Sequence, residues 1–185
     1  QSVWDDQTCR PAQIVLIADG PLTEELDAVL AAWTEKLQDK LTICRNEVNL
    51  GLTKSLNKGL KHTTGEYIAR MDSDDIALSN RLQKQYDFMK ANPDIHLSSC
   101  RFMTLKNGVI ASGGCGGRCD NESLKALLLV TNPILHPGII AKAEVIRSLR
   151  YDKTFTCTED MELWTRFVTS GYKIEILPEY LMIYR

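Results

Sequence analysis

The sequence lacks the long apolar runs and the charge runs that would assign it to a membrane or to nucleic acid. No stretch approaches the ~20 apolar residues of a transmembrane helix, and the run at 126–130 is far too short. The 185 residues carry 22 Lys and Arg against 24 Asp and Glu, and this net charge of -2 predicts no nucleic-acid partner. A hydrophobic share of 44% predicts one globular domain with a proper core.

The sequence also has few cysteines that could pair. There are six: Cys9, Cys44, Cys100, Cys115, Cys119 and Cys157. Most stand singly among apolar residues, as buried free thiols do. Cys115 and Cys119 are close, but no second pair completes the four ligands of a structural zinc site. A disulfide formed on oxidation stays open as an alternative, and a reducing, cytoplasmic compartment fits best.

No methionine and no signal peptide open the sequence, which begins at Gln1. At the other end, Arg185 closes an apolar run with no loop after it. We therefore expect the chain to be processed, or to be a piece of a longer protein that is truncated at both ends.

Apolar runs of strand length alternate with segments of helical periodicity, which predicts an α/β fold. The apolar strand at 14–17 is typical of a parallel sheet that is buried on both faces. Residues 95–118 predict short strands and a glycine-rich loop that fits no phosphate-binding glycine motif. Further strands are predicted near 41–44, 67–71, 139–140 and 173–177, and helices near 22–33, 52–60, 82–89, 121–130 and 163–168.

Carboxylates follow two of the predicted strands. Asp19 ends the first strand, and Asp72, Asp74 and Asp75 end the strand at 67–71. Ligands of open α/β sheets collect at the carboxyl ends of strands, where Asp-x-Asp can hold Mg²⁺ or Mn²⁺ on a diphosphate. A solvated turn that caps the next helix is the structural alternative, and a phosphatase with an aspartate nucleophile is another. A calcium loop is excluded, because apolar residues follow where that loop needs an oxygen ligand and glycine.

A second acidic site, Glu159-Asp160, opens the last predicted helix. The helix dipole favours carboxylates in a first turn by roughly 0.3–1 kcal/mol each, and this alone can explain such a pair. The functional interpretation is a general base held at a rigid helix start. His136 lies between Pro133 and Pro137. By default it is a satisfied core or loop histidine, but its proline-framed loop makes it a candidate to line a site.

In order and spacing, these motifs resemble those of the family 2 glycosyltransferases, inverting enzymes with the GT-A fold that are common in bacterial polysaccharide synthesis. The resemblance implies an α/β fold with a Rossmann-like, mostly parallel central sheet flanked by helices. It also implies one domain over 1–185, with a nucleotide-sugar-binding half at 1–95 and an acceptor and catalytic half at 96–185. The matching segments are Gln7-Thr8 with the strand at 14–17 and Asp19-Gly20, Asn49-x-Gly51-Leu52 with Leu56-Asn57-x-Gly59, Gly65 to Asp75 followed by Arg81 and Gln85, and Glu159-Asp160 with Leu163-Trp164 and Arg166.

The resemblance also implies roles for individual residues. Asp19 matches the aspartate that binds the nucleobase, and Asp160 matches the catalytic base. Asp72 and Asp74 match the Asp-x-Asp pair, in which Asp72 also contacts the donor nucleotide and Asp74 is the better direct metal ligand. Ala18 departs from the family, because many members have a first aspartate there. Three further residues are expected to line the site: Asp75, Glu159 and His136.

The activity implied is metal-assisted transfer of a hexose from a nucleotide-diphosphate donor to a hydroxyl of a glycan or lipid-linked acceptor. The divalent cation would be Mn²⁺ or Mg²⁺. A cytoplasmic enzyme of cell-envelope synthesis is implied, with peripheral association at the inner face of the membrane left open. Two alternatives also stay open. One is a non-catalytic nucleotide-sugar-binding module, which the intact Asp160 disfavours. The other is a sugar-phosphate nucleotidyltransferase, whose usual glycine-rich start is not visible.

The first strand of the implied fold is missing from the chain as given. It should lie between the strands at 14–17 and 67–71, which leaves a gap one strand wide, about 4.8 Å per spacing. Unpaired backbone groups on both sides are costly when buried and sticky when exposed. We therefore expect further N-terminal residues in the natural protein, which would complete the pocket beside Asp19. Otherwise a strand would be borrowed from a neighbouring molecule in a homodimer.

Overall fold

The computed structural model describes residues 1–113 and 118–185. In this part of the chain each helix is too short or too polar to cross a bilayer. The strands and helices, in chain order, are β1 (Ile14–Asp19), α1 (Glu24–Leu37), β2 (Leu41–Asn46), α2 (Leu52–Leu60), β3 (Tyr67–Ala69), β4 (Ile76–Ala77), α3 (Arg81–Ala91), β5 (Leu97–Lys106), β6 (Val109–Gly113), α4 (Asn121–Leu128), β7 (Ile140–Lys142), α5 (Ala143–Leu149), α6 (Glu159–Thr169) and β8 (Ile174–Tyr184).

The first sheet consists of β1 and β2, which run parallel in register from Ile14 opposite Leu41 to Asp19 opposite Asn46. Helix α2 packs closely against β1, because Gly59 brings no side chain to the contact. A Cβ atom at Gly59 would lie 3.3 Å from side-chain atoms of Ile17. The register therefore places the side chains of Asp19 and Asn46 next to each other at the carboxyl edge of this sheet.

The second sheet has six strands, in the order β3-β7-β5-β8-β4, with β6 paired to β5. The α/β fold class is confirmed, but this sheet is mixed rather than mostly parallel. Among the strands of this sheet that the structure describes, β5 and β8 pair in parallel and the other ladders are antiparallel. Chain connectivity explains the difference. The two-residue turn Asn107–Gly108, with φ of 52° and 77°, makes β5 and β6 an antiparallel hairpin. A long crossover through α4, α5 and α6 lets β8 return parallel to β5.

Among the described strands, no ladder joins β1 to β3, and the strands therefore form two sheets. A separation at this point is what the sequence predicts for a sheet that lacks the strand between them. The additional N-terminal residues remain a prediction.

Several predicted elements have different bounds in the structure. Strand β3 ends at Ala69 rather than Met71, although the Arg70 N–H still donates to the Ile139 carbonyl at 3.1 Å. Strand β8 continues to Tyr184 because a bulge between its pairs with Cys100 and Arg101 accommodates Pro178. Helix α5 was not predicted. The pairing of Cys115 with Cys119 lies outside the described residues.

Asn57 of α2 connects the first sheet to the rest of the molecule. Its Nδ2 donates to the Tyr151 carbonyl at 2.7 Å, and its Oδ1 accepts from the Tyr151 N–H at 3.0 Å. Both residues are buried. Nearby, the Thr53 hydroxyl donates to the Phe155 carbonyl at 3.0 Å. The side-chain amide therefore pairs with a backbone segment as a neighbouring strand would, and it satisfies two buried backbone groups.

Replacing Asn57 by Leu keeps the approximate volume but leaves the Tyr151 N–H and carbonyl without partners. Since each buried unsatisfied group costs about 1–3 kcal/mol, we expect a loss of about 3 kcal/mol in the free energy of unfolding, measured by urea denaturation. Lys54→Ala, at an exposed position of the same helix, serves as the control and should change it by less than about 0.5 kcal/mol. A loss of under 1 kcal/mol in Asn57→Leu would contradict this role.

Candidate active site

Asp19 organises the loop that leads into α2. Its Oδ1 accepts from Asn46 Nδ2 and from the Leu50 N–H, each at 2.8 Å, and its Oδ2 accepts from the Gly51 N–H at 3.0 Å. Burial opposes the charged form, but these hydrogen bonds outweigh it and hold the pKa of Asp19 below its ordinary value. One acceptor position on Oδ2 is left open for a ligand.

Asp72 is held by a buried arginine. Both guanidinium nitrogens of Arg70 contact its carboxylate, Nη1 at 2.7 Å from Oδ2 and Nη2 at 2.5 Å from Oδ1. Arg70 itself is buried, and its Nε has no hydrogen-bond partner among the described residues. The bidentate pair fixes the orientation of Asp72 and compensates its negative charge.

The next two carboxylates differ in exposure. Asp74 is exposed at the tip of the segment, and within the described part of the chain its carboxylate accepts no hydrogen bond. Asp75 is buried: Oδ1 accepts from the Arg185 N–H at 3.0 Å, while Oδ2 has no partner among the described residues. Burial raises the pKa of Asp75, and the charges of Asp72 and Asp74 raise it further. Asp74 is therefore the carboxylate with both oxygens free for a cation.

Arg81 holds the backbone that precedes the acidic segment. It is fully buried, and its Nη2 donates to the carbonyls of Arg70 at 2.8 Å and Ile139 at 3.3 Å. Its Nε donates to Gln85 Oε1 at 3.1 Å, and Gln85 in turn donates to the Gly138 carbonyl at 2.8 Å. Burial lowers the pKa of Arg81. The backbone just before Asp72 is thus tied to the loop before β7.

Asp160 lies in the first turn of α6, as the sequence predicts. Its Oδ1 accepts from the Met161 N–H at 2.7 Å, and its Oδ2 accepts from Asn132 Nδ2 at 2.7 Å. Asp160 is partly exposed, whereas Glu159 is buried. Of the two carboxylates, only Asp160 is accessible to a substrate.

His136, Tyr151 and Trp164 form a buried aromatic cluster. His136 Nε2 and the Tyr151 hydroxyl are 2.8 Å apart, and the His136 and Trp164 rings meet edge to face at 5.6 Å. Burial raises the pKa of Tyr151, and the charges of Asp160 and Asp72 add to this effect, while Arg70 opposes it. The Arg70 N–H donates to the Ile139 carbonyl at 3.1 Å, so the backbone before Asp72 lies next to the loop that carries His136.

His136 is neutral in this environment. Burial lowers its pKa to about 3, with a smaller contribution from the charge of Arg70. A histidine with this pKa does not exchange a proton with substrate near neutral pH. The contacts of His136 therefore agree with the default interpretation, a satisfied core histidine. His136 also lines a groove.

The groove has a volume of about 440 Å³. The loop at 131–137 forms one wall. Phe102 from the middle of β5 and Tyr184 from the end of β8 contribute two aromatic rings, which meet edge to face at 5.9 Å. Asp160 opens onto this groove. The groove therefore combines a partly exposed carboxylate with an aromatic surface, a combination suited to a hydroxylated ligand.

Most of the predicted site residues converge, and one lies apart. Asp19 ends the two-stranded sheet, and no described contact joins it to the other acidic residues. Three contributors were not predicted, namely Arg70, Asn132 and Tyr151. Asn132 and Tyr151 bond to side chains that are 28 and 15 residues away, which leaves no local signal in the sequence. Asp72, the partner of Arg70, is two residues away, so the Arg-x-Asp spacing is a local signal for that pair. Among the described residues no group of three His, Cys, Asp or Glu could hold a metal ion.

The neutral state of His136 predicts a pH dependence of stability. Because its pKa is lowered in the folded state, unfolding takes up a proton below about pH 6.5, so stability is full above that value and falls as the pH is lowered. At pH 5 we expect this group to cost about 2 kcal/mol relative to pH 7, from about 1.4 kcal/mol per unit. Urea denaturation of His136→Gln should lack this part of the decrease.

His62→Gln, at an exposed histidine outside the site, is the matched control and should follow the wild-type curve. Parallel curves for wild type and His136→Gln would show that His136 is protonated in the folded protein.

Comparisons with known proteins identify relatives of this chain. The family model described as Glycosyl transferase family 2 matches residues 2–136. The amylovoran biosynthesis glycosyltransferase AmsE of Erwinia amylovora is 33% identical over 182 residues, which cover 95% of this chain and 65% of that protein. An uncharacterized glycosyltransferase of Methanocaldococcus jannaschii is 29% identical over 181 residues, covering 97% of this chain and 62% of that protein.

A third relative is the UDP-Gal:alpha-D-GlcNAc-diphosphoundecaprenol beta-1,3-galactosyltransferase of Escherichia coli. It is 30% identical over 173 residues, which cover 92% of this chain and 61% of that protein. The chain thus spans less than two thirds of the length of these curated relatives.

The fold is similar to that of solved structures as well. S. aureus TarS 1-349 superposes with a TM-score of 0.75 at 17% identity, covering 97% of this chain and 53% of that one. The same protein in complex with UDP gives a TM-score of 0.71 at 18% identity, covering 96% and 53%. The GT-A type of α/β fold is thereby confirmed.

Proposed function

The chain belongs to glycosyl transferase family 2, and from this premise we propose that it transfers a sugar from a nucleotide-diphosphate donor to an acceptor hydroxyl with inversion. The observation that carries the proposal is geometric: the Arg70 N–H, two residues before Asp72, donates to the Ile139 carbonyl, next to the loop of His136, which lines one groove together with Asp160. Residues 1–95 would hold the donor, and residues 96–185 would hold the acceptor and the base.

The nucleotide-sugar donor would bind between Asp19, at the edge of the first sheet, and the Asp-x-Asp segment that follows β3 of the second sheet. The open acceptor position on Asp19 Oδ2 suits an N–H of a nucleobase, next to the loop that Asp19 orders. The structure of TarS with UDP supports a nucleoside diphosphate as the common ligand of this fold. The names of the relatives support a UDP-sugar among the candidates.

A divalent cation fits the residues of the Asp-x-Asp segment. Asp74 has two free oxygens, whereas Arg70 already occupies Asp72, so the protein would contribute one direct carboxylate ligand. Mg²⁺ in nucleotide sites is often held by one or two carboxylates, substrate phosphates and water, and Mn²⁺ accepts the same oxygen ligands. When bound, the cation would stabilise the negative charge that grows on the leaving diphosphate.

Asp160 would act as the general base. Its carboxylate takes the proton of the acceptor hydroxyl while that oxygen attacks the anomeric carbon, and the bond to the diphosphate breaks with its electron pair on the leaving oxygen. His136 and Tyr151 do not suit this role, because the lowered pKa of the histidine makes it a very weak base and the raised pKa of the phenol keeps it protonated near pH 7. These two side chains instead belong to the buried aromatic cluster.

The acceptor would lie in the groove beside Asp160. The Phe102 and Tyr184 rings offer flat surfaces to the C–H face of a sugar, and polar groups from the 131–137 loop face its hydroxyls. Names among the relatives include amylovoran biosynthesis and a diphosphoundecaprenol-linked acceptor. For this chain we propose a glycan or a lipid-linked sugar as the acceptor. With a lipid-linked acceptor, the protein would associate peripherally with the membrane face.

The metal role predicts that Asp74→Asn weakens UDP binding tenfold or more in the presence of Mn²⁺, because it removes the charged ligand that the cation needs. Isothermal calorimetry with and without Mn²⁺ measures this. Affinity without the metal should change by less than about twofold. Asp87→Asn, an exposed aspartate on α3, is the matched control and should bind as wild type does. Unchanged Mn²⁺-dependent affinity in Asp74→Asn would refute the assignment.

The base role predicts that Asp160→Asn lowers turnover by about 10²–10⁴-fold while donor affinity stays within about twofold of wild type. The measurement is release of free nucleoside diphosphate from the donor, with Asp87→Asn again as the control. Equal losses of donor binding and turnover would instead make Asp160 a donor ligand or a structural residue. Release of pyrophosphate from UTP and a sugar 1-phosphate would instead indicate a nucleotidyltransferase.

A further inference from the structure

Asn132 holds the Asp160 carboxylate from outside its own helix. The amide Nδ2 donates to Oδ2 at 2.7 Å, whereas Oδ1 accepts from the Met161 N–H within α6, also at 2.7 Å. Each oxygen therefore has one donor and at least one lone pair still open. Without Asn132, the carboxylate would be fixed only by the backbone next to it, which leaves the side chain free to turn.

The Asn132 amide is itself held in a single orientation. Its Oδ1 accepts from the Ile134 N–H at 3.3 Å, and Ile134 is buried in the main core. Pro133 restricts the backbone of Asn132 to extended conformations. A reversed amide would set its oxygen against the Asp160 carboxylate and its NH₂ against the Ile134 N–H. Both of those contacts are repulsive, so the geometry favours the observed one.

A neutral donor suits a carboxylate that has to accept a proton. Arg70 compensates the charge of Asp72 in a bidentate pair, whereas Asn132 offers Asp160 a single amide N–H and leaves its negative charge in place. Asn132 and Asp160 both line the groove. Asp72 and Asp160 are thus held by different chemistry. The arginine pair suits an anion that stays ionised beside the nucleotide sugar, and the neutral amide suits a base that takes up a proton.

We propose that Asn132 is a positioning residue, which directs the Asp160 carboxylate toward the acceptor hydroxyl without contacting the reacting atoms itself. The inference rests on the proposed function, since it assigns Asn132 a part in the reaction that Asp160 performs. A hydrogen bond to a charged group that orients a base should contribute about ten- to a hundredfold to turnover.

The first test uses water as the acceptor, because hydrolysis needs the base but no contact with an acceptor sugar. Release of UDP from UDP-glucose, UDP-galactose and UDP-N-acetylglucosamine is followed in the full-length protein. For Asn132→Ala, kcat with the best donor should fall about ten- to a hundredfold, and the donor KM should stay within about twofold. Lys125→Ala, at an exposed position of α4, is the control and should match wild type.

Two results of this test would overturn the proposal. Unchanged hydrolysis with impaired transfer to a sugar would make Asn132 an acceptor ligand. A parallel loss of donor affinity and of Tm would make it a structural residue. Asn132→Asp removes the donor and adds a like charge at the same size, so it should be impaired more than Asn132→Ala; wild-type activity in this variant would also refute the role.

Double variants separate positioning from an independent effect. If Asn132 acts through Asp160, then Asn132→Ala should lower the residual rate of Asp160→Asn by less than about twofold. A full additional ten- to hundredfold loss would show that the two residues act separately, and would overturn the proposal.

Crystal structures of wild type and Asn132→Ala give a measurement that does not depend on turnover. The Asp160 carboxylate should leave its position or occupy several conformers in the variant, and an unchanged single conformer would overturn the proposal. If the wild-type protein binds UDP but releases none from any donor, the proposed function fails. In that case the conformation of Asp160 in the two crystal structures still tests the positioning role of Asn132.

Discussion

The arrangement of the acidic groups depends on the buried side chain of Arg81, whose hydrogen bonds within the described part of the chain include none to a carboxylate. Arg81 is fully buried and donates to two backbone carbonyls, and it also contacts the sulfur atoms of Met71 and Met182 at 3.0 Å each. Through these contacts it joins the backbone before Asp72 to strand β8 and to the loop before β7. A guanidinium can do this because it presents five donors in a fixed plane, and the hydrogen bonds offset part of its desolvation.

The second constraint is the neutral, buried pair of His136 and Tyr151. Asn57 fixes Tyr151 through its backbone, and Tyr151 fixes His136 through its hydroxyl. Because neither ring ionises near neutral pH, the pair adds no charge to the site. The packing also ties α2, which carries the first sheet, to the half of the molecule that holds Asp160.

The carboxylates differ in what they can do because their surroundings differ. Three backbone and amide donors saturate most of Asp19, and an arginine occupies Asp72. Asp74 is free at the surface, and Asp160 is held by two neutral N–H donors. Residue type alone therefore does not define the role of an aspartate here. The number of donors, their charge and the exposure of each group decide it.

Several features could be read from the sequence alone. These are the alternation of strands and helices, the placement of Asp19 at a strand end and of Asp160 at a helix start, and membership of the family, because periodicity and motif spacing are local properties of a chain. The mixed sheet could not be read in this way. Pro178 ends the local strand pattern, yet β8 continues through a bulge, since its pairing with β5 outweighs the local preference. Asn132 and Tyr151 became part of the site only through folding, because their partners lie 28 and 15 residues away in sequence. Arg70 and Asp72 are near neighbours in sequence, and there the tertiary structure decided the burial of the arginine.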